Sequence, residues 1–220
     1  AKAIEDAGLV PHRDSLDPAQ TDLFNDRTGV YVGGGGGTYQ DQYDYFPLLT
    51  AAGGDLGTFG RQLATTVNPM WLLRTLPNNV LCHIGIRYGF KGANACIINH
   101  TASGILAVAE AAAALRADEA DRAVAVGHDS PVEPETMLYY HALGLLAADT
   151  IRPFDTARSG TILGEGAAAL VLETASAARG RGAKVRGEYL GSGCVAEGEG
   201  LLSIRTDGDG LARAIVLALE

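Results

Sequence analysis

The amino-acid sequence predicts an α/β fold in which helices cover both faces of a parallel or mixed sheet. Two short apolar runs bounded by glycine, residues 28–33 and 93–98, are typical of buried strands. The Ala-rich segment 102–116 that follows the second run has helical composition and spacing. Strands that alternate with helices favour a sheet with both faces covered.

The remaining elements continue this alternation along the chain. We expect strands at 122–126, 167–172 and 185–190, and a terminal helix at 208–219. In the helix 102–116 small residues predict close packing, and the positions that recur at helical spacing are Ile105, Leu106, Ala109, Ala112 and Leu115.

Composition limits the classes of partner. The chain has 220 residues, of which 47% are hydrophobic and 20% charged, enough for a sizeable core. A net charge of −9 argues against nucleic acid or an anionic membrane as partner, and it offers no obvious basic patch for an acidic carrier protein. Three cysteines without metal-ligand spacing favour reduced thiols, and no membrane span or signal peptide is recognisable. We expect a cytoplasmic protein without metal or cofactor.

The segment 92–104, GANACIINHTASG, is the most informative stretch. It resembles the nucleophile turn of the β-ketoacyl synthases, in which a strand runs into Thr-Ala-Cys-Ala-x-Gly and the Cys takes the acyl chain. Counting forward from Gly92, Thr101 falls on the Cys position, and Asn99 and His100 occupy the places of the preceding Thr and Ala. The resemblance implies a condensing-enzyme scaffold without its thiol.

Further segments resemble the same family in the same order. They are LPNNVLCHIGIRYGFKG at 76–92, ADEADRAVAVG at 117–127, RPFDTARSGTILGEGAAALVLE at 152–173 and RGRGAK at 179–184. The resemblance implies a thiolase-like fold, with residues 1–182 forming the N-terminal-like half of a ketosynthase and residues 183–220 the beginning of its second half. The family's first strand and its two catalytic histidines have no counterpart here, so we expect a fragment, or a chain that another polypeptide completes.

Thr101 is expected to be structural. A ketosynthase Cys is activated by a helix N-terminus and nearby histidines, whereas a threonine hydroxyl is far harder to deprotonate. Threonine is a good N-cap, so we expect Thr101 to cap the helix that follows. His100, taken as the neighbouring strand residue, is expected to face away from Thr101 or to pack at a subunit contact. Cys96 lies inside the strand and is expected to be inert.

Two other features have competing interpretations. The run Gly33–Gly37 lacks the Lys-Ser/Thr of a phosphate-binding P-loop, which favours a structural turn. By the family resemblance, Asp155, Arg158 and Glu165 support the pocket through polar contacts, or they only brace a loop. The family's Arg-Asp-Gly-Phe appears at residues 158–161 as Arg-Ser-Gly-Thr, a second departure near the pocket.

Two functions are therefore expected as alternatives. The first is a non-condensing partner of an active ketosynthase in fatty acid or polyketide biosynthesis, similar to a chain-length factor, in a heterodimer or else a homodimer that works with an acyl carrier protein. The second is a β-ketoacyl synthase-like decarboxylase, or an acyltransferase that uses Thr101 or Ser103 on acyl-carrier-protein thioesters. The family's dimer contact runs along the strand that carries the nucleophile turn, which brings Asn99, His100 and Thr101 next to a partner.

Overall fold

The computed structural model describes residues 1–35, 45–200 and 203–220. Four strands form one mixed sheet in the order β2-β1-β3-β4. The strands are β1 (Thr28–Gly34), β2 (Asn94–Ile98), β3 (Arg122–Asp129) and β4 (Gly166–Glu173). The first three are parallel to one another, and β4 runs antiparallel to β3. The predicted α/β class and mixed sheet are confirmed.

Helices precede, connect and follow these strands. In chain order they are α1 (Lys2–Asp6), α2 (Leu9–Asp14), α3 (Pro18–Asp26), α4 (Phe46–Ala51), α5 (Leu56–Thr66), α6 (Trp71–Thr75), α7 (Asn79–Tyr88), α8 (Ser103–Arg116), α9 (Pro134–Ala142), α10 (Ala175–Gly180) and α11 (Asp209–Leu219). Local sequence sets several of the helix starts. At α3, for example, Asp17 and Gln20 form a capping box and Pro18 occupies the first turn. None of the described helices is both long and apolar enough to cross a bilayer.

Alternation along the strands divides the core into two layers. On one face of the sheet, valines of β1 and β3 pack with side chains from the N-terminal helices, in a cluster of Ile4, Leu9, Phe24, Val30, Val32, Phe90, Val124 and Val126. On the other face, Tyr31, Ala123 and Ala125 meet Ala107, Ala111 and Ala114 of α8. Both faces are covered, as the sequence predicts.

Helix α8 packs through its smallest side chains. Ala107 and Ala111 are fully buried, whereas Ile105 is 67% exposed. Ile105 thus lies outside the buried face although it shares the helical spacing, and the expected close packing by small residues is confirmed. Small side chains let the helix axis approach the sheet, and this favours the alanine face over the bulkier one.

Glycine makes the closest part of this contact possible. A Cβ built at Gly33 would lie 2.0 Å from the carbonyl oxygen of Ser103 and 2.6 Å from the amide nitrogen of Gly104. A Cβ at Gly127 would lie 3.0 Å from the Cα atom of Gly104. The first turn of α8 thus rests directly on the backbones of β1 and β3, near the ends of both strands.

A buried ionic cluster joins the sheet to the N-terminal helices, on the face opposite α8. Glu173 at the end of β4 accepts hydrogen bonds from Arg181, and its carboxylate also lies 3.6 Å from the Nε atom of Arg122. The side chains of Glu173 and Arg181 are only 7% and 8% exposed. Arg181 donates to the carbonyl oxygen of Ala7 at 2.7 Å, and Arg122 stacks over the ring of Phe24 at 4.1 Å. One carboxylate thereby ties α1 and α3 to the sheet.

The expected strand at residues 185–190 was wrong. The region 183–200 contains no strand, and no described residue forms a ladder with it. A strand requires a neighbour that takes up its N–H and C=O groups. Side chains hold the segment instead, since Arg116 stacks on the Tyr189 ring at 5.2 Å and donates to the carbonyl oxygen of Leu190. The expected division at residue 182 stays a prediction.

Replacing Gly33 should unfold the contact between α8 and β1. We expect Gly33→Ala to destabilise the chain by about 3 kcal/mol, because the added methyl group meets helix backbone that has no room to move. The matched control is Gly60→Ala, since Gly60 lies inside α5 with open space around its Cα atom. That variant should be neutral or stabilising by up to about 1 kcal/mol. Denaturant unfolding measures both, and equal stabilities would contradict the packing.

Removing the Glu173 carboxylate, which contacts both Arg122 and Arg181, should also lower the free energy of unfolding. Glu173→Gln leaves two guanidinium groups without their counter-ion in a nearly buried site, so we expect a loss of about 3 kcal/mol in the free energy of unfolding. The control is Asp149→Asn, which breaks an ion pair with Arg152 in which the Asp149 side chain is 60% exposed. Equal midpoints of chemical unfolding for the two variants would refute a structural role for Glu173.

His12 gives the stability a pH dependence. Burial, followed by the positive charges of Arg181 and Arg122, lowers the pKa of His12. A lowered folded-state pKa means that the unfolded chain binds the proton first, so stability present above about pH 6.5 is lost as the pH falls. His12→Gln should remove this part of the pH dependence. Unfolding midpoints measured between about pH 7.5 and 5 test it, and identical slopes for the two proteins would contradict it.

Candidate functional site

The turn between β2 and α8 is a short 3-10 helix, His100–Ala102. Ser103 fixes its geometry from within. The Ser103 hydroxyl accepts a hydrogen bond from the Asn99 amide at 2.7 Å and donates one to the His100 carbonyl oxygen at 2.8 Å. Because Ser103 is only 2% exposed and both bonds are short, its hydroxyl is committed to holding the turn.

Thr101 does not cap the helix. Ala102 precedes the first residue of α8, and that position makes no side-chain cap. The Thr101 side chain is exposed and has no hydrogen-bond partner among the described residues. The expected N-cap role was therefore wrong, because Ser103, two residues further along the chain, makes the hydrogen bonds that hold the turn. Thr101 presents an unengaged hydroxyl.

The position of His100 relative to Thr101 also differs from the expected one. It was predicted to face away from Thr101 because adjacent strand residues alternate, but β2 ends at Ile98 and His100 belongs to the 3-10 turn. Its φ angle of +43° lies in the left-handed region, which is uncommon for a residue other than glycine. Both His100 and Thr101 line the same open cleft. The alternation argument was wrong for this pair because the strand had already ended.

This cleft lies where the parallel strands end and α8 begins. Its volume is about 520 Å³. Ligand sites of open α/β sheets commonly form at this edge, where strand ends meet helix N-termini. Glycines and alanines make up most of its wall, and the lining residues are Gly33, Gly34, Gly35, His100, Thr101, Ser103, Gly104, Gly127, His128, Asp129, Gly166, Ala167 and Ala168.

His128 and Asp129 are cleft residues that sequence reasoning missed. Neither residue was predicted from the sequence to belong to the site. The sequence held one signal for them: they directly follow the apolar strand ending at Gly127, and parallel strands end at the same edge of a sheet. Gly34 pairs with His128 in the strand register, and Gly35 lies against the Asp129 carboxylate.

The glycine run is explained in part by these neighbours. Gly33 and Gly34 belong to β1 and Gly35 follows in a bend, each beside a different group of the cleft wall. Gly36 and Gly37, also predicted to form the structural turn, lie outside the described residues. Gly33, Gly34 and Gly35 leave room at the end of β1 for the α8 backbone and for the side chains of His128 and Asp129.

Glu165 lies apart from Asp155 and Arg158, which bond to each other. Glu165 accepts a hydrogen bond from the Ser130 hydroxyl next to Asp129, which places it at the rim of the cleft. Asp155 and Arg158 bond within their own loop, where Arg158 donates to the Asp155 carbonyl oxygen at 3.0 Å. Arg158 lines a second cavity of about 420 Å³ with Ile151, Arg152, Pro153 and Gly160. These contacts favour loop bracing for Asp155 and Arg158 over direct support of the Thr101 turn.

Cys96 and a cluster of metal ligands are two further candidates for a reactive centre. Cys96 is partly buried in β2, and burial raises the pKa of its thiol, which disfavours the reactive thiolate. Across residues 1–35, 45–200 and 203–220, no three His, Cys, Asp or Glu side chains are grouped to hold a metal ion.

The sequence is similar to known proteins of one family. Residues 1–178 match the family model "Beta-ketoacyl synthase, N-terminal domain". The mitochondrial 3-oxoacyl-[acyl-carrier-protein] synthase of Arabidopsis thaliana is 27% identical over 202 residues, which cover 89% of this chain and 42% of that protein. The 3-oxoacyl-[acyl-carrier-protein] synthase 2 of Staphylococcus aureus is 26% identical over 221 residues, covering 96% of this chain and 51% of that protein. The chain thus spans about half the length of these relatives.

Solved structures agree with the thiolase-like fold. The ishigamide ketosynthase/chain length factor superimposes with a TM-score of 0.74 at 27% identity, over 100% of this chain and 52% of that one. A type II polyketide synthase ketosynthase, solved in complex with its acyl-carrier protein, gives a TM-score of 0.76 at 23% identity, over 99% and 54% of the two chains, and supports the fold alone. The family resemblance of the sequence is confirmed, and this chain belongs to the β-ketoacyl synthase family.

Proposed function

We propose that this chain is a non-condensing ketosynthase-like subunit of fatty acid or polyketide biosynthesis, acting as the partner of an active ketosynthase in the manner of a chain-length factor. Thr101 carries the proposal. It stands where the motif of the family places the acyl-accepting Cys, and its exposed hydroxyl has no hydrogen-bond partner among the described residues.

The chemistry of the turn supports a role without condensation. A hydroxyl nucleophile needs a general base within hydrogen-bond reach and a group that orients the base. His100 and His128 line the cleft, yet neither bonds to Thr101. Ser103 is unsuitable as a substitute nucleophile, since its hydroxyl already makes two hydrogen bonds within the turn.

The exposed edge of the sheet favours binding of a partner subunit. Of the described strands, β2 is the outermost next to β1, and its last residue, Ile98, is 50% exposed. An edge strand offers unpaired backbone groups to a second chain. The turn with Asn99, His100 and Thr101 follows directly, so a ketosynthase bound along β2 would contact it. Among the similar proteins, one is a ketosynthase/chain length factor, and two relatives are named 3-oxoacyl-[acyl-carrier-protein] synthases. We therefore propose a heterodimer that receives its substrate from an acyl carrier protein.

A second candidate function has one observation in its favour. Thr101 is exposed in a cleft that also contains two imidazole groups, His100 and His128. That set of groups suits an acyltransferase of the β-ketoacyl synthase type, in which the hydroxyl would accept an acyl group from a carrier thioester. The two candidates differ in whether Thr101 ever becomes acylated.

Co-expression with a candidate ketosynthase from the same source tests the proposal. We expect a stable heterodimer whose condensing activity survives Thr101→Ala in this chain, because the partner supplies the nucleophile. Ile98→Asp should weaken the heterodimer at least tenfold, since a charge would be placed in the contact. The control is Ile204→Asp in the C-terminal segment, where the isoleucine is 80% exposed.

Size-exclusion chromatography and a condensation assay provide the measurements. A ketosynthase that is fully active alone and never copurifies with this chain would overturn the partner role. Loss of condensation in the Thr101→Ala heterodimer would instead assign the reaction to this chain.

A further inference from the structure

His128 occupies an unusual position at the end of β3. Its ring lies over Gly34, so that a Cβ built at Gly34 would be 3.1 Å from the Nε2 atom. The same side chain lines the cleft that contains Thr101. A ligand that enters between the α8 turn and the strand ends therefore meets an imidazole.

The Nε2 atom of His128 is buried and lacks a hydrogen-bond partner within residues 1–35, 45–200 and 203–220. A buried polar atom without a partner costs free energy, and most such atoms in folded proteins are paired. On one side the imidazole faces the backbone of Gly34, which pairs with His128 in the strand register. A bound ligand in the cleft is a natural source of the missing partner.

The surroundings of His128 favour an uncharged ligand. Asp129 follows it at the mouth of the cleft, where its carboxylate lies against Gly35 and accepts a hydrogen bond from the Ser130 amide at 2.9 Å. A carboxylate in this position disfavours an anionic group nearby. The glycine and alanine wall around both residues leaves room for an extended chain rather than a bulky head group.

We propose that His128 is a specificity-determining residue whose Nε2–H donates a hydrogen bond to a carbonyl oxygen of a neutral acyl chain in this cleft. It would favour β-keto chains over fully reduced ones. This inference rests on the proposed function, because it takes the cleft to hold the growing acyl chain of the complex.

The discrimination follows from the cost of an unpaired donor. A keto chain satisfies the Nε2–H group, whereas a methylene chain in the same place keeps it buried and unpaired. Sites built around a polar contact reject analogues that lack the matching group more strongly than apolar pockets reject a change of size.

The test compares two stable probes on the purified chain, a 3-oxoacyl pantetheine amide and the saturated acyl pantetheine amide of the same length. We expect the keto probe to bind about tenfold more tightly, as measured by calorimetry. His128→Phe keeps a ring over Gly34 and removes the donor, so it should abolish the preference. His128→Gln restores a donor and should recover part of it. The control is His83→Phe, at an exposed position of α7, which should bind like the unchanged protein.

A spectroscopic measurement separates hydrogen bonding from packing. The Nε2 nitrogen resonance of His128 should shift when the keto probe binds and stay in place with the saturated probe. Absence of binding by the keto probe, equal affinities for the two probes, or a preference that persists in His128→Phe would each overturn the proposal. A keto preference without heterodimer formation would refute the partner role alone, and a heterodimer without keto preference would refute the role of His128 alone.

Discussion

The structure depends on the close contact between the first turn of α8 and the ends of β1 and β3. At Gly33 the helix and strand backbones are closer than a Cβ would allow, and at Gly104 and Gly127 a Cβ would be in tight contact with the facing backbone. Below this point the alanine face of α8 continues the same contact over the length of the sheet. The position of the Thr101 turn is a consequence, because the turn is the segment that connects β2 to a helix seated this deeply.

The opposite face holds the sheet in place by different means. Larger apolar side chains and the cluster of Glu173, Arg122 and Arg181 join the N-terminal helices to β3 and β4. The sheet that carries the cleft is therefore packed against helices on both faces. The wall of the cleft itself consists mostly of glycine and alanine. Glycine and alanine have no functional side-chain groups, so the reactive or charged groups of the cleft belong to a few residues: His100, Thr101, His128 and Asp129.

Much of this architecture could be predicted from sequence, and the exceptions have physical reasons. Apolar runs bounded by glycine predicted β1 and β2, and the alanine content of α8 predicted its close packing, because these patterns are local. Ile105 shares the apolar spacing of α8 but is exposed, because the contact with the sheet requires small side chains. The strand expected at residues 185–190 has the composition of a strand but no neighbour to pair with among the described residues. At the site, Thr101 could be located from its motif, whereas His128 was missed, because its place beside Gly34 depends on the register between β1 and β3 and its one sequence signal is the strand end that it follows.

In the proposed partner subunit, Thr101 carries no acyl group. Its hydroxyl lacks a hydrogen-bonded base among the described residues, and the nearest serine is committed to the turn. The most direct test is the intact mass of this chain after incubation with an acyl-carrier-protein thioester, followed by peptide mapping of the region 92–104. We expect an unmodified mass. An acyl ester located on Thr101, and absent from Thr101→Ala, would contradict the account.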